Sequence, residues 1–446
     1  MVAASLTVWQ RRRARRLAYW NGLLWSIGNG LTSTTLIVYL ALELNAPRIG
    51  LGISMLLAVR HVVGVLRLAT PALIGRWFDR KRFCLGSFFL SAVLLLGIPV
   101  VAAPGRLRSA AASLTALVVL WCCYNLLEYL GTIALWSWLG DLASQRLRGR
   151  FLGRRERWMV GGTALAALTS GLFAWKWQQL YPKPLHWVGY AIPAVAGAAF
   201  MLAALAPLAR MPRLTTSWIV RRGATLRAML APLADRQFRR LLAFGCWFSF
   251  FNGVTQSLQN LYPASVAGVG LLGVLSMQTG MRVGQWGVSP WLGRLADRVG
   301  NRPVLVASQL IAAAGLLFFL PATRQQPWWL AGAWAAWIAY AGLNICLPNL
   351  MLRLSPGGTH TAYIATYFAV TGLCYAASTM VGGQCYDQYR DRTLLLPGLP
   401  ELDFAQCSFL AGWVLRSVGV LLLVPIVESS ADSCRNGSLA GSAQKA

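Results

Sequence analysis

Five charged side chains stand inside long apolar runs: Arg60, Arg67, Glu128, Arg282 and Arg416, with His61 next to the first. An ionisable group at the centre of a membrane span costs about 2.5–3.5 kcal/mol on insertion scales unless it meets water or a partner. Such residues therefore mark either a solute pathway or a paired cluster. Arg60 and Arg67 lie two helical turns apart, on one face and about 10 Å from each other along the axis. Desolvation holds a proton on a mid-span carboxylate and a nearby guanidinium removes it. Poised between the two, Glu128 can take up and release a proton, which makes it the candidate proton-coupling residue. A guanidinium fork grips carboxylate or phosphate through two parallel hydrogen bonds. Arg282 is accordingly the leading anchor for an anionic solute, with Gln278 and Gln285 at helical spacing beside it and Arg60 and Arg67 in support. The plainer alternative, a packed polar cluster in which Glu128 neutralises one arginine, stays open at this stage.

Polar stripes accompany these charges. They comprise Asn21, Trp25, Asn29 and Thr32; Asn125, Glu128 and Thr132; Ser249, Asn252, Gln256 and Gln259; Gln278, Arg282 and Gln285; and Tyr340 with Asn344. A single amide in a span is most simply helix-to-helix glue. Several stripes together point to a wet cavity, with Trp25 as a candidate to stack on a ligand. There is no phosphate-binding glycine loop, no metal-ligand cluster among three histidines, and no nucleophile elbow. No cofactor is expected, and the chain reads as a non-enzyme.

The elements that must position these groups follow from composition. Of 446 residues, 57% are hydrophobic and 12% charged, against about 25% charged in soluble domains. Continuous apolar runs of spanning length make this an all-α membrane protein and exclude a β-barrel. The expected spans are residues 17–42, 49–74, 84–103, 110–139, 158–180 and 187–208, then 241–262, 264–292, 303–320, 328–352, 362–383 and 404–427. A basic tail (1–16) precedes a first bundle (17–210), a linker (211–238), a second bundle (239–427) and a polar tail (428–446). The net charge of +28 would suggest nucleic acid in a soluble protein. Here most of the Lys and Arg fall on one side of the spans, which places both termini in the cytoplasm by the positive-inside rule. Anionic lipid is the expected partner of that basic face, and no nucleic acid is expected. Nine cysteines are scattered, without the spacing of a disulfide framework.

Two short charged stretches punctuate the spans at corresponding places. One is Gly293-Arg294-Leu295-Ala296-Asp297-Arg298-Val299-Gly300-Asn301-Arg302. The other is Gly75-Arg76-Trp77-Phe78-Asp79-Arg80-Lys81-Arg82. A second pair of landmarks, Arg150-Phe151-Leu152-Gly153 and Ala362-Tyr363-Ile364-Ala365, stands at nearly the same offset, which suggests duplicated halves.

These stretches resemble the G-x-L-A-D-R-x-G-R-R loop of the major facilitator superfamily, found between helices 2 and 3 and again between helices 8 and 9. The second copy matches at Gly293, Leu295, Ala296, Asp297, Arg298, Gly300 and Arg302. The first keeps Gly75, Asp79 and Arg80. The resemblance implies twelve transmembrane helices in two pseudo-symmetric six-helix bundles, with helices 2, 4 and 8 around a central cavity and helix 12 outside it. Arg416 would then be structural. It also implies that Asp79 and Asp297 approach the starts of helices 11 and 5 as gate contacts. The implied function is secondary transport of a small solute by alternating access, with an organic anion as the leading substrate class, proton coupling, and a monomer in the plasma (inner) membrane. A sugar or other neutral polar solute, drug efflux, a non-transporting sensor and a membrane-embedded enzyme are the alternatives. Trp25, Asn29, Asn252, Gln256 and Asn344 complete the candidate binding set.

Overall fold

A computed structural model of the chain describes residues 7–65, 80–142, 145–212, 231–354, 360–394 and 402–426. The described residues form twelve helical rods. In the first half these are α1 (Val8–Leu31 and Thr34–Glu43), α2 (Ile49–Val65), α3 (Arg80–Leu95 and Ile98–Ala102), α4 (Ala110–Leu142), α5 (Gln145–Leu180) and α6 (His186–Ala203 and Leu205–Ala209). In the second half they are α7 (Arg236–Ser265), α8 (Leu271–Val299), α9 (Asn301–Ala314, prolonged by a 3-10 turn over Gly315–Phe319) and α10 (Trp329–Ala336 and Tyr340–Leu354). They end with α11 (His360–Tyr389) and α12 (Phe404–Val418, prolonged over Gly419–Leu423).

Several boundaries differ from the expected ones, each for a local reason. The basic tail is already helical, because Thr7 and Gln10 form a reciprocal capping box that starts α1 at Val8. In the basic stretch after span four the described residues are helical, α4 running to Leu142 and α5 starting at Gln145. The turn at Gly293–Arg302 shrinks to one residue. α8 continues through Val299, Gly300 takes a φ of +93°, and α9 starts at Asn301. Charged residues carry these helices beyond the apolar layer, and only the positive φ demands glycine. Asp235 caps α7 at Arg236, inside the expected linker.

Nine helices among the described residues are long and apolar enough to cross a membrane. α7 and α8, at 30 and 29 residues, are not among the nine. Length is not what they lack. They carry the polar residues of the Asn252 and Gln278 stripes, so their water-facing side dilutes their hydropathy. Trp9, Trp136 and Trp158 towards one end and Trp175, Trp328 and Trp329 towards the other are exposed, as interfacial belts require.

Within the first half α1 packs on α5 and α6, and α3 on α4; within the second, α7 packs on α11 and α12, and α9 on α10. The halves meet chiefly along α2–α11 and α5–α8. Lipid is as apolar as leucine, so close approach of backbones, rather than burial alone, must hold such helices together. At Gly28 of α1 an added Cβ would come 2.7 Å from the carbonyl of Gly197 in α6. Both termini of the described chain lie at the end rich in arginine, called here the basic end. The opposite, far end carries a two-stranded antiparallel patch pairing Thr393–Leu394 with Leu402–Asp403. There Asp403 and Gln406 form the capping box of α12.

Candidate substrate cavity

Two adjoining lobes of about 480 and 370 Å³ lie between the halves. Both are lined by Thr34, Thr35, Arg60, Gln278 and Arg282. The larger lobe adds Asn29, Asn125 and Glu128 from α1 and α4. The smaller adds His61, Asn252, Gln256, Gln259, Tyr340 and Tyr375. Arg60 and Arg282 are both exposed to this space, near enough for each charge to feel the other. Among the described lining residues the single carboxylate is Glu128.

Glu128 is held rather than free. Its Oε1 accepts from Trp25 Nε1 at 3.2 Å and from Asn29 Nδ2 at 3.1 Å. Asn29 is fixed in turn by the Tyr124 hydroxyl at 2.9 Å. Trp25 packs on Phe88 with ring centroids 4.4 Å apart. Arg60 donates its Nε to Asn125 Oδ1 at 3.2 Å, one turn before Glu128 on α4. The arginine therefore leans on the amide beside the carboxylate, and its terminal nitrogens remain available to the cavity.

The polar stripes divide on inspection. Asn29, Asn252, Gln256 and Gln278 line the lobes. Trp25 is 6% exposed and its indole is spent on Glu128, so it positions the carboxylate instead of presenting a stacking face. Gln285 donates to the carbonyl of Trp337 at 3.0 Å, joining α8 to the bend in α10, and lines neither lobe. Asn344 is exposed but lines neither lobe. Arg67, Gly75 and Asp79 lie outside the described residues, and Arg80 begins α3. Arg298 and Asp297 are exposed in the last turns of α8, Gly293 sits mid-helix in open space, and Arg302 Nη1 reaches the Ile426 carbonyl at 3.5 Å.

Sequence reasoning missed the roof of this cavity. Asp387, near the end of α11, accepts from the backbone N–H groups of Gly50 and Leu51, both at 2.8 Å. These are orphan donors of the first turn of α2, so the residue caps a helix of the opposite half. Below it Ser54 and Ser257 share a hydrogen bond of 2.7 Å, and Thr35 bonds Gln278. The Tyr39 hydroxyl donates to the Val269 carbonyl at 2.6 Å. The His61 and Tyr375 rings pack with centroids 3.9 Å apart, tilted by 33°. The glycines Gly50 and Gly383, which face each other across this crossing, are the sequence signal that could have revealed it.

α1 is also broken where the lobes meet. Thr32 ends its first piece, and Ser33 caps the second by accepting from Leu36 N. A larger recess of about 860 Å³ lies outside the roof at the far end, walled by Glu43, Lys183, His186 and the Ala264–Gly270 turn.

Twelve rods in two bundles around one polar cavity, sealed at one end, decide the architecture. This is the major facilitator fold. The nucleoside transporter NupG superposes with a TM-score of 0.66 over 94% of this chain and 100% of that chain, at 13% identity. A D-xylose-proton symporter gives 0.66 over 93% and 98%, at 14% identity. The inward open conformation of the xylose transporter XylE from E. coli gives 0.64 over 94% and 96%, at 14% identity. No protein-family model and no curated protein matches the sequence. The major facilitator fold is thus carried by geometry, at identities that leave the substrate to the cavity's own chemistry.

Proposed function

We propose that the chain is a secondary transporter that moves a small organic anion by alternating access, coupled to protons through Glu128. The basic end faces the cytoplasm, and its arginines rest against anionic lipid headgroups. The observation that carries the substrate class is the charge balance of the cavity. Arg60 and Arg282 face a space whose single described carboxylate is already engaged by Trp25 and Asn29. A desolvated, unpaired guanidinium is costly, and a bound anion offsets that cost. One neighbour of the same fold is a D-xylose-proton symporter, which supports proton coupling on this scaffold. A neutral polar solute is the second reading, favoured by Asn252, Gln256, Gln259 and Asn260 in the smaller lobe.

Counterflow and pH-driven uptake in proteoliposomes test the proposal. Glu128→Gln should abolish accumulation driven by a pH gradient while leaving substrate-for-substrate exchange largely intact. Arg282→Lys should weaken binding about tenfold or more, because a point charge cannot replace a bidentate fork. If neutral sugars stabilise the purified protein and anions do not, the second reading replaces the first. Retained pH-driven accumulation in Glu128→Gln would remove the coupling role.

A further inference from the structure

The side-chain amides of the two lobes are in different states. In the larger lobe each described amide is spent. Asn29 donates to Glu128 and accepts from the Tyr124 hydroxyl, and Asn125 accepts from Arg60 while donating to the Trp121 carbonyl at 2.8 Å. Gln278, common to both lobes, is paired with Thr35. In the smaller lobe Gln259 donates to the Thr255 hydroxyl at 2.8 Å and Asn260 to the Gln256 carbonyl at 2.9 Å. Two amides remain. The side chains of Asn252 and Gln256, half-buried and one turn apart on one face of α7, make no hydrogen bond among the described residues. Both line the smaller lobe and neither lines the larger, so they stand beyond the Arg60–Arg282 junction that the lobes share. The lobe is also walled by Tyr375, against which His61 packs, and by Trp337. The Trp337 indole N–H is spent on the Ala312 carbonyl at 3.2 Å, which leaves only ring carbon to offer the lobe.

We infer that Asn252 and Gln256 form a subsite for a planar amide group, so that the transported anion is a carboxylate carrying a carboxamide or lactam edge. This rests on the anion reading of the preceding section. A side-chain amide presents an acceptor and two donors in one plane. A solute amide laid edge to edge on it closes two antiparallel hydrogen bonds, and its flat faces then meet ring carbon instead of water. When the cavity closes and water leaves, an amide without a partner carries its full desolvation penalty, so the free pair on α7 selects a solute that satisfies it. The lobe, about 370 Å³, falls within the ordinary span of small-ligand sites, about 300–1,000 Å³. The arginines that favour an anion and the amides that favour a neutral polar group thus serve two ends of one molecule.

The test is thermal stabilisation and competition binding on the intact purified protein. The probes are para-carbamoylbenzoate, para-isopropylbenzoate (the same shape without the amide), neutral benzamide and glucuronate. The wild type should bind para-carbamoylbenzoate about tenfold tighter than para-isopropylbenzoate, because the second leaves the site's amides unpaired. Asn252→Leu and Gln256→Met keep the side-chain size, and each should reduce that ratio; together they should erase it while para-isopropylbenzoate still binds. Should one of these variants misfold, the other alone decides. Arg282→Lys should weaken both benzoates alike and leave their ratio intact. Equal binding of the two benzoates by the wild type, an unchanged ratio in the α7 variants, or tighter binding of glucuronate than of para-carbamoylbenzoate overturns the amide subsite and leaves the anion reading standing. Binding of benzamide with no binding of either benzoate keeps the subsite and overturns the anion reading. No binding of any probe overturns both.

Discussion

The two ends of the molecule use the same helices differently. At the far end α2 and α11 cross through Gly50 and Gly383, where an added Cβ would strike the opposing backbone or Ser54. α5 meets α8 where a Cβ on Gly171 would come 3.0 Å from Leu272. Asp387 fastens this end by capping α2. Further towards the basic end Gly64 of α2, Gly161 of α5 and Gly287 and Gly293 of α8 have nothing within 4 Å among the described residues. Asp297 is exposed there, with no hydrogen bond among the described residues. The α2–α11 and α5–α8 seams are thus closed at the far end by glycine contacts and a capping carboxylate, whereas the same helices hold glycines without contacts further towards the basic end. On the transport reading proposed above, alternating access would exchange which set is engaged.

The largest effect should come from breaking the engaged set. Gly383→Val puts a branched side chain where Ser54 and the Gly50 carbonyl already stand. Overpacking of this kind costs about 1–3 kcal/mol, and here the strain is relieved by parting α2 from α11. Ser257→Cys, buried under the roof, should become reachable by a membrane-impermeant thiol reagent from the far side in that background, and transport should fall to near zero. An unlabelled cysteine with transport intact would show that the crossing is not the seal.

Asp387→Asn should have the next effect. It keeps the shape and one acceptor but loses the ionic hydrogen bonds to Gly50 and Leu51. A carboxylate at a helix N-terminus contributes up to about 2 kcal/mol when partly buried, so the closed-to-open ratio at the far end should fall about tenfold or somewhat more. The same cysteine reports it, with labelling between that of the wild type and that of Gly383→Val.

The sequence made the fold legible through run length, arginine asymmetry and the Gly300 turn, because those signals are local. The site was legible in its charges. Arg60, Glu128 and Arg282 do converge, since an ionisable group in hydrocarbon has few other places to go. What stayed hidden was pairing between segments distant in the chain. Asp387 looks like one of several charges near a helix end, and only the register of α11 against α2 makes it a cap. Gln285 and Gln278 have the same type and the same helix, yet one bonds the Trp337 carbonyl and the other Thr35. Periodicity gives the face of a helix and not the neighbour that the face meets. Arg416 makes the same point: its buried side chain ties α12 to the Phe251 and Asn252 carbonyls and the Thr255 hydroxyl of α7, partners that its own helix does not announce.

Gly161→Leu sharpens the comparison from the disengaged side. The position is exposed with open space around it, so stability should stay within about 0.5 kcal/mol of the wild type. Transport should nonetheless drop several-fold, because a bulky side chain there obstructs closure of α5 against α8. A melting temperature unchanged together with full transport would mean that these helices do not approach at Gly161.

The smallest effect is expected at Asp297, and it tests the register directly. The crossing at Gly171 and Leu272 sets α5 antiparallel to α8. Counting an equal number of residues along each helix towards the basic end brings Asp297 level with Arg146, in the first turn of α5. The expected outcome of closing that end is that the carboxylate meets the orphan donors of the α5 N-terminus and the charge at position 146, contacts worth about 0.3–1 kcal/mol at an exposed position. Asp297→Asn should leave the stability of the present state unchanged, because the side chain has no described partner in it. It should shift the balance towards the open basic end by about two- to fivefold, read as faster labelling of a cysteine placed at Gly280 from the basic side. An Arg146→Ala change should produce the same shift, and the double variant should add little to either single one. Fully additive effects would mean that the two residues act separately and that the closed basic end uses a different register.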